Sequence, residues 1–362
     1  MTTVKAILKK TNVPHELSLE DVPFPTLKPD HVLIKIKKTA ICGTDINIYN
    51  WGEWAQRTIK TPQIIGHEFV GEVVETGAHV KNVEVGQLVS GEGHIVCGCC
   101  RHCVTEQQHL CRMTVGIGVN MDGVFAQYIA FPASNIWICD PNIAEEVHSV
   151  MDPFGNSVHT ALSFRVVGED VLVTGAGPTG LMAIPILKRG GARTIVVTDV
   201  VEERLALAKS LGATAVVNVT DKSLVDSEGK VDLLAASRND LQKAGFSLKE
   251  GFDVGLEMSG SSRAFADMVD AMANGGSIAI LGILPKNTLV DLDKVIFSSL
   301  TLRGIYGRKM YDTWYRATAL LQSGMDKEIA QVITDTFHYT EYKKAFEHMA
   351  AGKSGKVILT WD

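Results

Sequence analysis

The sequence predicts an α/β protein of two domains, a doubly wound parallel sheet and a mainly β region that precedes it. Three observations point there. The chain has 362 residues, more than one domain of roughly 100–200 residues usually holds. Residues 1 to about 155 carry short β-branched runs cut by turn signals. From Asp170 onward strand-like and helix-like stretches alternate, and repeated βαβ units imply a parallel sheet covered by helices on both faces.

Taken in order, "MTTVKAILKK" is too short and too charged for a secretory segment and reads as a first strand. "HVLIKIKKTAIC" and "FVGEVVETG" run apolar or alternate over strand lengths, and "LKPD" and "KNVEVGQ" punctuate them. In the second half, "DVLVTGAGPTG" is a strand and glycine turn, and "LMAIPILKRGGA" is a helix with Pro185 inside it. The strand "TIVVTD", the helix "VEERLALAKSLGA" and the strand "AVVNV" follow. Residues 221–249 are polar and weakly patterned and read as a surface excursion between two sheet strands. Beyond them come the strand "FDVGLEMSG", the helix "SRAFADMVDAMANGG", and the strands "SIAILGI" and "LTLRGIYG". The tail predicts two helices, around "YDTWYRATALLQSG" and "TEYKKAFEHMAAG", and a closing strand "KVILTWD".

Composition narrows the function. A formal net charge of −6 argues against general affinity for nucleic-acid backbones or anionic membranes. No apolar run approaches the ~18–20 residues that span a bilayer. The expected compartment is the cytoplasm, where thiols stay reduced and clustered cysteines are more often metal ligands than disulfides.

The turn "GAGPTG" (Gly175, Gly177, Gly180) fits G-x-G-x-x-G, follows a strand and opens a helix inside a βαβ unit. That is the context of a Rossmann dinucleotide site, where the backbone approaches a pyrophosphate seated at the helix N-terminus. Asp199 stands 19 positions after Gly180, at the end of the second strand. A carboxylate there accepts hydrogen bonds from the adenosine ribose and repels a 2′-phosphate, so NAD is expected rather than NADP. Arg204 lies close enough in sequence to accommodate a phosphate, but Asp199 is expected to dominate.

Four of the chain's seven cysteines, Cys97, Cys100, Cys103 and Cys111, stand at C-x2-C-x2-C-x7-C. Four thiolates in one small lobe suit a closed, structural zinc site; ferredoxin-type spacing differs. Cys99 falls outside the four. Cys42, the His67–Glu68 pair and Asp152 are scattered over separate stretches of the β-rich region. Each has a structural reading alone, as a small buried thiol, a satisfied histidine or a surface carboxylate. Together they supply the three protein ligands and open position of a catalytic zinc.

These residues carry a family resemblance. "GHEFVGEVVETG" resembles the signature of the zinc-containing medium-chain alcohol dehydrogenases, and the cysteine lobe and glycine turn fall in that family's order. "KTAICGTDINIYNW", "VSGEGHIVCGCCRHC", "MDPFGNSVHTALSF", "KVIFSSL", "GIYGRKMYDTWY" and "SGKVIL" extend the resemblance nearly from end to end, broken around residues 221–249. It implies a GroES-like catalytic domain at 1–155 and 308–362, with a structural zinc lobe at about 92–115, and a Rossmann NAD domain at 156–307. It implies Cys42, His67 and Glu68 as catalytic zinc ligands, with Asp152 as a fourth ligand or as a neighbour that exchanges with Glu68. Thr44 would take the proton from the substrate hydroxyl and His94 would flank the substrate. Thr179, Asp199, Arg204, the Leu281–Gly282–Ile283 turn, Ile305 and Tyr306 would line the NAD site. The implied reaction is oxidation of the 3-hydroxyl of L-threonine by NAD to 2-amino-3-oxobutanoate, in a homotetramer with two zinc ions per chain.

The chain departs from the family at one place. Where CGTD-x-H carries a relay histidine, it has Asn47. Histidine accepts and releases a proton near neutral pH; an amide does not. Asn47 can instead orient a water or a ribose hydroxyl. Two other readings fit the same residues: a related polyol or secondary-alcohol dehydrogenase, and a non-catalytic NAD-binding relative.

Overall fold

The computed structural model describes residues 3–221, 224 and 231–361. The chain divides into two compact units, Met1–Pro153 with Lys309–Asp362, and Phe154–Arg308.

The first unit is built on β-sheets. Its main sheet runs in the order Ile136–Ile138, Leu88–Gly91, Glu68–Thr76, His31–Ala40, Lys356–Thr360, Ile333–His338, and Tyr128–Pro132 also pairs with His31–Ala40. The two C-terminal strands therefore complete a sheet begun three hundred residues earlier in the sequence. Lys356–Thr360 is antiparallel to His31–Ala40, with Ile358 opposite Ala40. A smaller sheet orders Ser18–Pro23, Thr3–Lys9 and Gln63–Ile64. Ile34, Ile36, Phe69, Phe125, Phe346 and Trp361 are nearly or fully buried in one core between these layers. The apolar positions that made "HVLIKIKKTA" read as a strand are the ones that fill it.

The second unit is a six-stranded parallel sheet in the order Ala215–Asn218, Thr194–Asp199, Asp170–Thr174, Phe252–Glu257, Met272–Ile280, Thr301–Gly304. In chain order this is 3-2-1-4-5-6, the doubly wound dinucleotide-binding arrangement. The central strand Asp170–Thr174 is buried along its whole length, as a parallel strand covered on both faces must be. The helix Pro178–Arg189 starts with Pro178 in its first turn and carries Pro185 within it.

Three expectations need correction. Residues 222–223 and 225–230 of the expected excursion lie outside the described residues, but the rest is not a surface loop. Leu233–Lys243 is a helix capped by Asp232, whose Oδ1 accepts the Ala235 N–H at 2.9 Å. Its Leu233, Ala236 and Leu241 are buried in the sheet's core. That narrow apolar face, set among polar residues, is what looked unpatterned. Second, the helix expected through Gly276 ends at Ala271, because the strand Met272–Ile280 begins there. Third, the tail holds a further helix, Asp326–Val332, and a strand, Ile333–His338, between its two expected helices.

Candidate active site

Cys42 follows the strand His31–Ala40 and stands at the N-cap of the helix Gly43–Tyr49. His67 lies just before the strand Glu68–Thr76, which Glu68 opens. The ligand atoms of Cys42, His67 and Glu68 lie within 4.8 Å of one another. One buried carboxylate ties the loops that carry them. Asp45 Oδ2 accepts the Cys42 N–H at 2.9 Å, its Oδ1 accepts the Gly66 N–H at 3.2 Å, and His67 Nδ1 stands 3.9 Å away. Gly66 has φ +89°, and a Cβ there would lie 2.2 Å from the Phe125 ring, so no other residue fits the turn that presents His67.

Glu68 is held from the far end of the chain. Lys356 Nζ donates to Glu68 Oε1 at 2.7 Å and to the Ile41 carbonyl at 2.9 Å. Burial works against the charge on Lys356, but Glu68 and then Cys42 outweigh it and hold its pKa above the usual lysine value. His67 is likewise held well above the ordinary histidine value: burial opposes its charge, and Cys42 and Asp45 overcome it. Buried Glu68 Oε2 and His67 Nδ1 have no hydrogen-bond partner among the described residues. A thiol, an imidazole and a carboxylate converging with an unsatisfied oxygen fit a metal ion, since orphaned buried polar atoms are otherwise costly.

Asp152, in the helix Met151–Ala161, stays outside that trio but lies near enough to act electrostatically on His67 and Glu68. The backbone at Gly93 lies beside it, since a Cβ on Gly93 would be 3.7 Å from Asp152 Oδ2 and 3.6 Å from His67 Cβ. His94 is the next residue. Thr44 is half-buried in the first turn of Gly43–Tyr49. Asn47 is exposed on the same helix, with its amide folded over Gly52, where a Cβ would meet Asn47 Oδ1 at 2.9 Å.

The four-cysteine lobe is assembled. Sγ–Sγ separations are 3.5 Å for Cys100–Cys103, 3.6 Å for Cys97–Cys111 and 3.9 Å for Cys97–Cys103. Those lengths exclude disulfides, with S–S near 2.05 Å, and match the edges of about 3.8 Å of a tetrahedron built on 2.3 Å zinc–sulfur bonds. The backbone N–H groups of Cys99 and Cys100 hold the Cys97 thiol down to about 6, whereas burial pushes Cys103 up to about 12. Exposed Cys99 is outside the four.

In the second unit the glycine turn joins strand Asp170–Thr174 to helix Pro178–Arg189. A Cβ on Gly180 would lie 1.9 Å from the Gly175 carbonyl oxygen, whereas Gly177, at the helix N-cap, faces open space. A bare helix end of this kind has the geometry and the positive dipole end that suit an anion. Asp199 Oδ2 accepts the Ala176 N–H at 2.6 Å, which places its carboxylate against the turn. Arg204 lies in the first turn of the helix Glu202–Ser210. Thr179 offers its carbonyl to Ser157 at 2.8 Å. The Leu281 and Gly282 N–H groups donate to the Glu257 carbonyl, Ile283 and Tyr306 are exposed, and Ile305 is buried. Sequence reasoning missed Asp45 and Lys356, although both lie inside quoted motifs, "CGTD" and "SGKVIL".

Residues 28–140 match the alcohol dehydrogenase GroES-like domain and residues 178–323 the zinc-binding dehydrogenase domain. The chain belongs to the zinc-binding medium-chain alcohol dehydrogenase family. Among its relatives are two L-threonine 3-dehydrogenases. That of Aeromonas salmonicida (strain A449) is 52% identical over 95% of this chain and 96% of its own. That of Legionella pneumophila (strain Corby) is 51% identical over 99% of this chain and all of its own. The alcohol dehydrogenase of Thermus sp. ATN1 shares the fold, with a TM-score of 0.84 at 26% identity over 98% of this chain and 99% of its own.

Proposed function

We propose that this chain oxidises the 3-hydroxyl of L-threonine to 2-amino-3-oxobutanoate, passing hydride to NAD. The observation that carries the reading is the convergence of Cys42, His67 and Glu68 with an unsatisfied buried oxygen, in a chain half identical to L-threonine 3-dehydrogenases. Cys42, His67 and Glu68 would hold a catalytic zinc, with Asp152 beside them, and Cys97, Cys100, Cys103 and Cys111 a structural one. Zinc when bound supplies Lewis acidity that acidifies a hydroxyl, and NAD is the hydride acceptor. The chain's own residues do the rest. Asp45 and Lys356 fix the ligand loops. The Thr44 hydroxyl takes the substrate proton, His94 flanks the substrate, and Asn47 orients a water or ribose hydroxyl. Gly175, Gly177, Thr179 and Gly180 receive the pyrophosphate at the helix N-terminus. Asp199 favours the unphosphorylated ribose, with Arg204, Leu281, Gly282, Ile283, Ile305 and Tyr306 lining the rest.

A homotetramer suits the apolar surface left on the second unit. Leu289, Leu292, Ile296 and Phe297 are all exposed, and they precede in sequence the strand Thr301–Gly304, which lies at the edge of the sheet. An exposed strand edge next to an apolar patch is a natural pairing surface. A reducing, cytoplasmic setting suits seven free cysteines.

The test is NADH absorbance after mixing protein and NAD with threonine, sorbitol or butanediol. Signal with threonine alone is the expected result. Signal with the diols instead favours a polyol dehydrogenase, and silence with zinc and NAD bound favours a non-catalytic relative.

A further inference from the structure

The motif "GEGH" contains a glutamate for which the reaction above has no use. Glu92 is 1% exposed, yet a buried carboxylate is costly unless its oxygens are satisfied. Here they are shared between a near neighbour and a distant helix. Oε1 accepts the His94 backbone N–H at 3.1 Å and lies 3.4 Å from the ring Nδ1 of His94. Oε2 accepts the indole N–H of Trp314 at 2.9 Å, from the helix Asp312–Leu320. The backbone around them is fixed as well: Asn135 Nδ2 donates to the carbonyls of Glu92 and His94, each at 2.9 Å, and the Asn135 carbonyl accepts the Glu92 N–H at 2.8 Å. Between the two residues, Gly93 runs against His67 and Asp152. An apolar side chain of similar volume would leave the Trp314 indole N–H and the His94 N–H without this acceptor. Nor would it hold the imidazole that lies 3.4 Å from the carboxylate.

We propose that Glu92 is a positioning residue for substrate recognition. Its Oε1, 3.4 Å from the ring, fixes the His94 imidazole with the proton on Nδ1 and the lone pair on Nε2. An acceptor there suits the ammonium group of a 2-amino-3-hydroxy acid, whose charge-assisted hydrogen bond is stronger than the one a diol hydroxyl would donate. The proposal rests on the reading of His94 as a substrate neighbour.

The test is a double-mutant cycle on steady-state turnover of L-threonine by the zinc-loaded enzyme, using Glu92→Gln, His94→Ala and the two combined. A neutral amide at position 92 has one acceptor oxygen and cannot serve both His94 and Trp314. Glu92→Gln should raise the threonine KM by about tenfold, with kcat, the NAD KM and zinc content little changed, the pattern of lost substrate binding. In the His94→Ala background the same change should add less than about twofold. Trp314→Phe, which leaves the contact to His94 in place, should keep the threonine KM within about twofold of the parent. If Glu92→Gln does not fold, Glu92→Asp, which keeps both acceptor oxygens but draws them back from the His94 ring, carries the same comparison. Effects that add in the cycle, an unchanged KM in Glu92→Gln, or a Trp314→Phe effect equal to that of Glu92→Gln would each overturn the proposal. A parent enzyme without threonine turnover would overturn the reading beneath it, and the proposal with it.

Discussion

Lys356 and Glu68 form an ion pair at 2.7 Å in which the side chains are 2% and 0% exposed. The pair joins the last strand of the chain to the strand that carries a candidate metal ligand. Removing one partner of a buried pair strands the other's charge and costs about 3–5 kcal/mol. Lys356→Met should therefore destabilise metal-stripped protein by about that amount in denaturant unfolding. A bound cation would compensate Glu68, so the loss in zinc-loaded protein should be smaller. Equal losses in both states would mean that Glu68 does not face the metal.

The two cysteine sites should respond differently to substitution. Cys100→Ser breaks a closed cage on which the lobe's folding depends, so zinc content should fall by one ion per chain and the melting temperature should drop. Cys42→Ser should abolish turnover while leaving the melting curve close to the parent's. Metal analysis and calorimetry on the two variants check this, and a Cys100 variant that keeps its zinc and its melting temperature would contradict the structural assignment.

Much of this was legible in the sequence, and what was not shares a cause. Strands such as Asp170–Thr174 announce themselves because the buried centre, Val171 to Val173, is a continuous apolar run. The helix Leu233–Lys243 was not legible because only Leu233, Ala236, Ser237 and Leu241 on it are buried, too few apolar positions to stand out. Ile333–His338 does alternate in burial, but it is short and follows a helix that Gly324, at φ +93°, sets off from the one before. The ligand types at Cys42, His67 and Glu68 could be read directly. Their supports could not, because Lys356 is 288 residues from Glu68 and Trp314 is 222 from Glu92. A spacing motif records local geometry; a buried partner brought in by the fold leaves no such mark.

Asp199 is expected to set the cofactor preference. Its carboxylate already accepts the N–H groups of Ala176, Val200 and Val201, so it is held at the turn before any ligand arrives. Asp199→Ala should lower the NAD-to-NADP ratio of kcat/KM on the order of 10–100-fold, the size of a charged hydrogen bond together with lost repulsion. Equal efficiency of the parent with both cofactors would refute this.

His148 predicts a pH-dependent term in stability that is unrelated to the active site. It is 2% exposed, its Nε2 donates to the Asp140 carbonyl at 2.9 Å, and its buried Nδ1 has no partner among the described residues. Burial lowers its pKa below the usual 6.5. Between that lowered value and 6.5 the unfolded chain binds a proton that the folded chain does not, so stability falls as pH falls through this window. Above 6.5 the histidine is neutral in both states and the contribution is constant. Denaturant midpoints at a series of pH values, for the parent and for His148→Gln, should diverge in slope only below about 6.5. Parallel curves would show that His148 titrates alike in both states.

Asn47 tests how the chain passes its proton onward. Thr44 and Asn47 lie three residues apart on the helix Gly43–Tyr49, so they share a face, and Asn47 is exposed with its amide turned over Gly52. An amide can orient a water but cannot take up a proton, whereas a histidine at this position would do so near neutral pH. General acid–base groups typically contribute about 10²–10⁴-fold. If proton release limits turnover, Asn47→His should raise kcat with threonine, most visibly at or below neutral pH, where hydroxide is scarce. The ring would take the place of the amide over Gly52, where the missing side chain leaves room. Turnover measured against pH for the two proteins decides the matter. Superimposable profiles would place position 47 outside the proton path and leave ordered water to carry the transfer from Thr44.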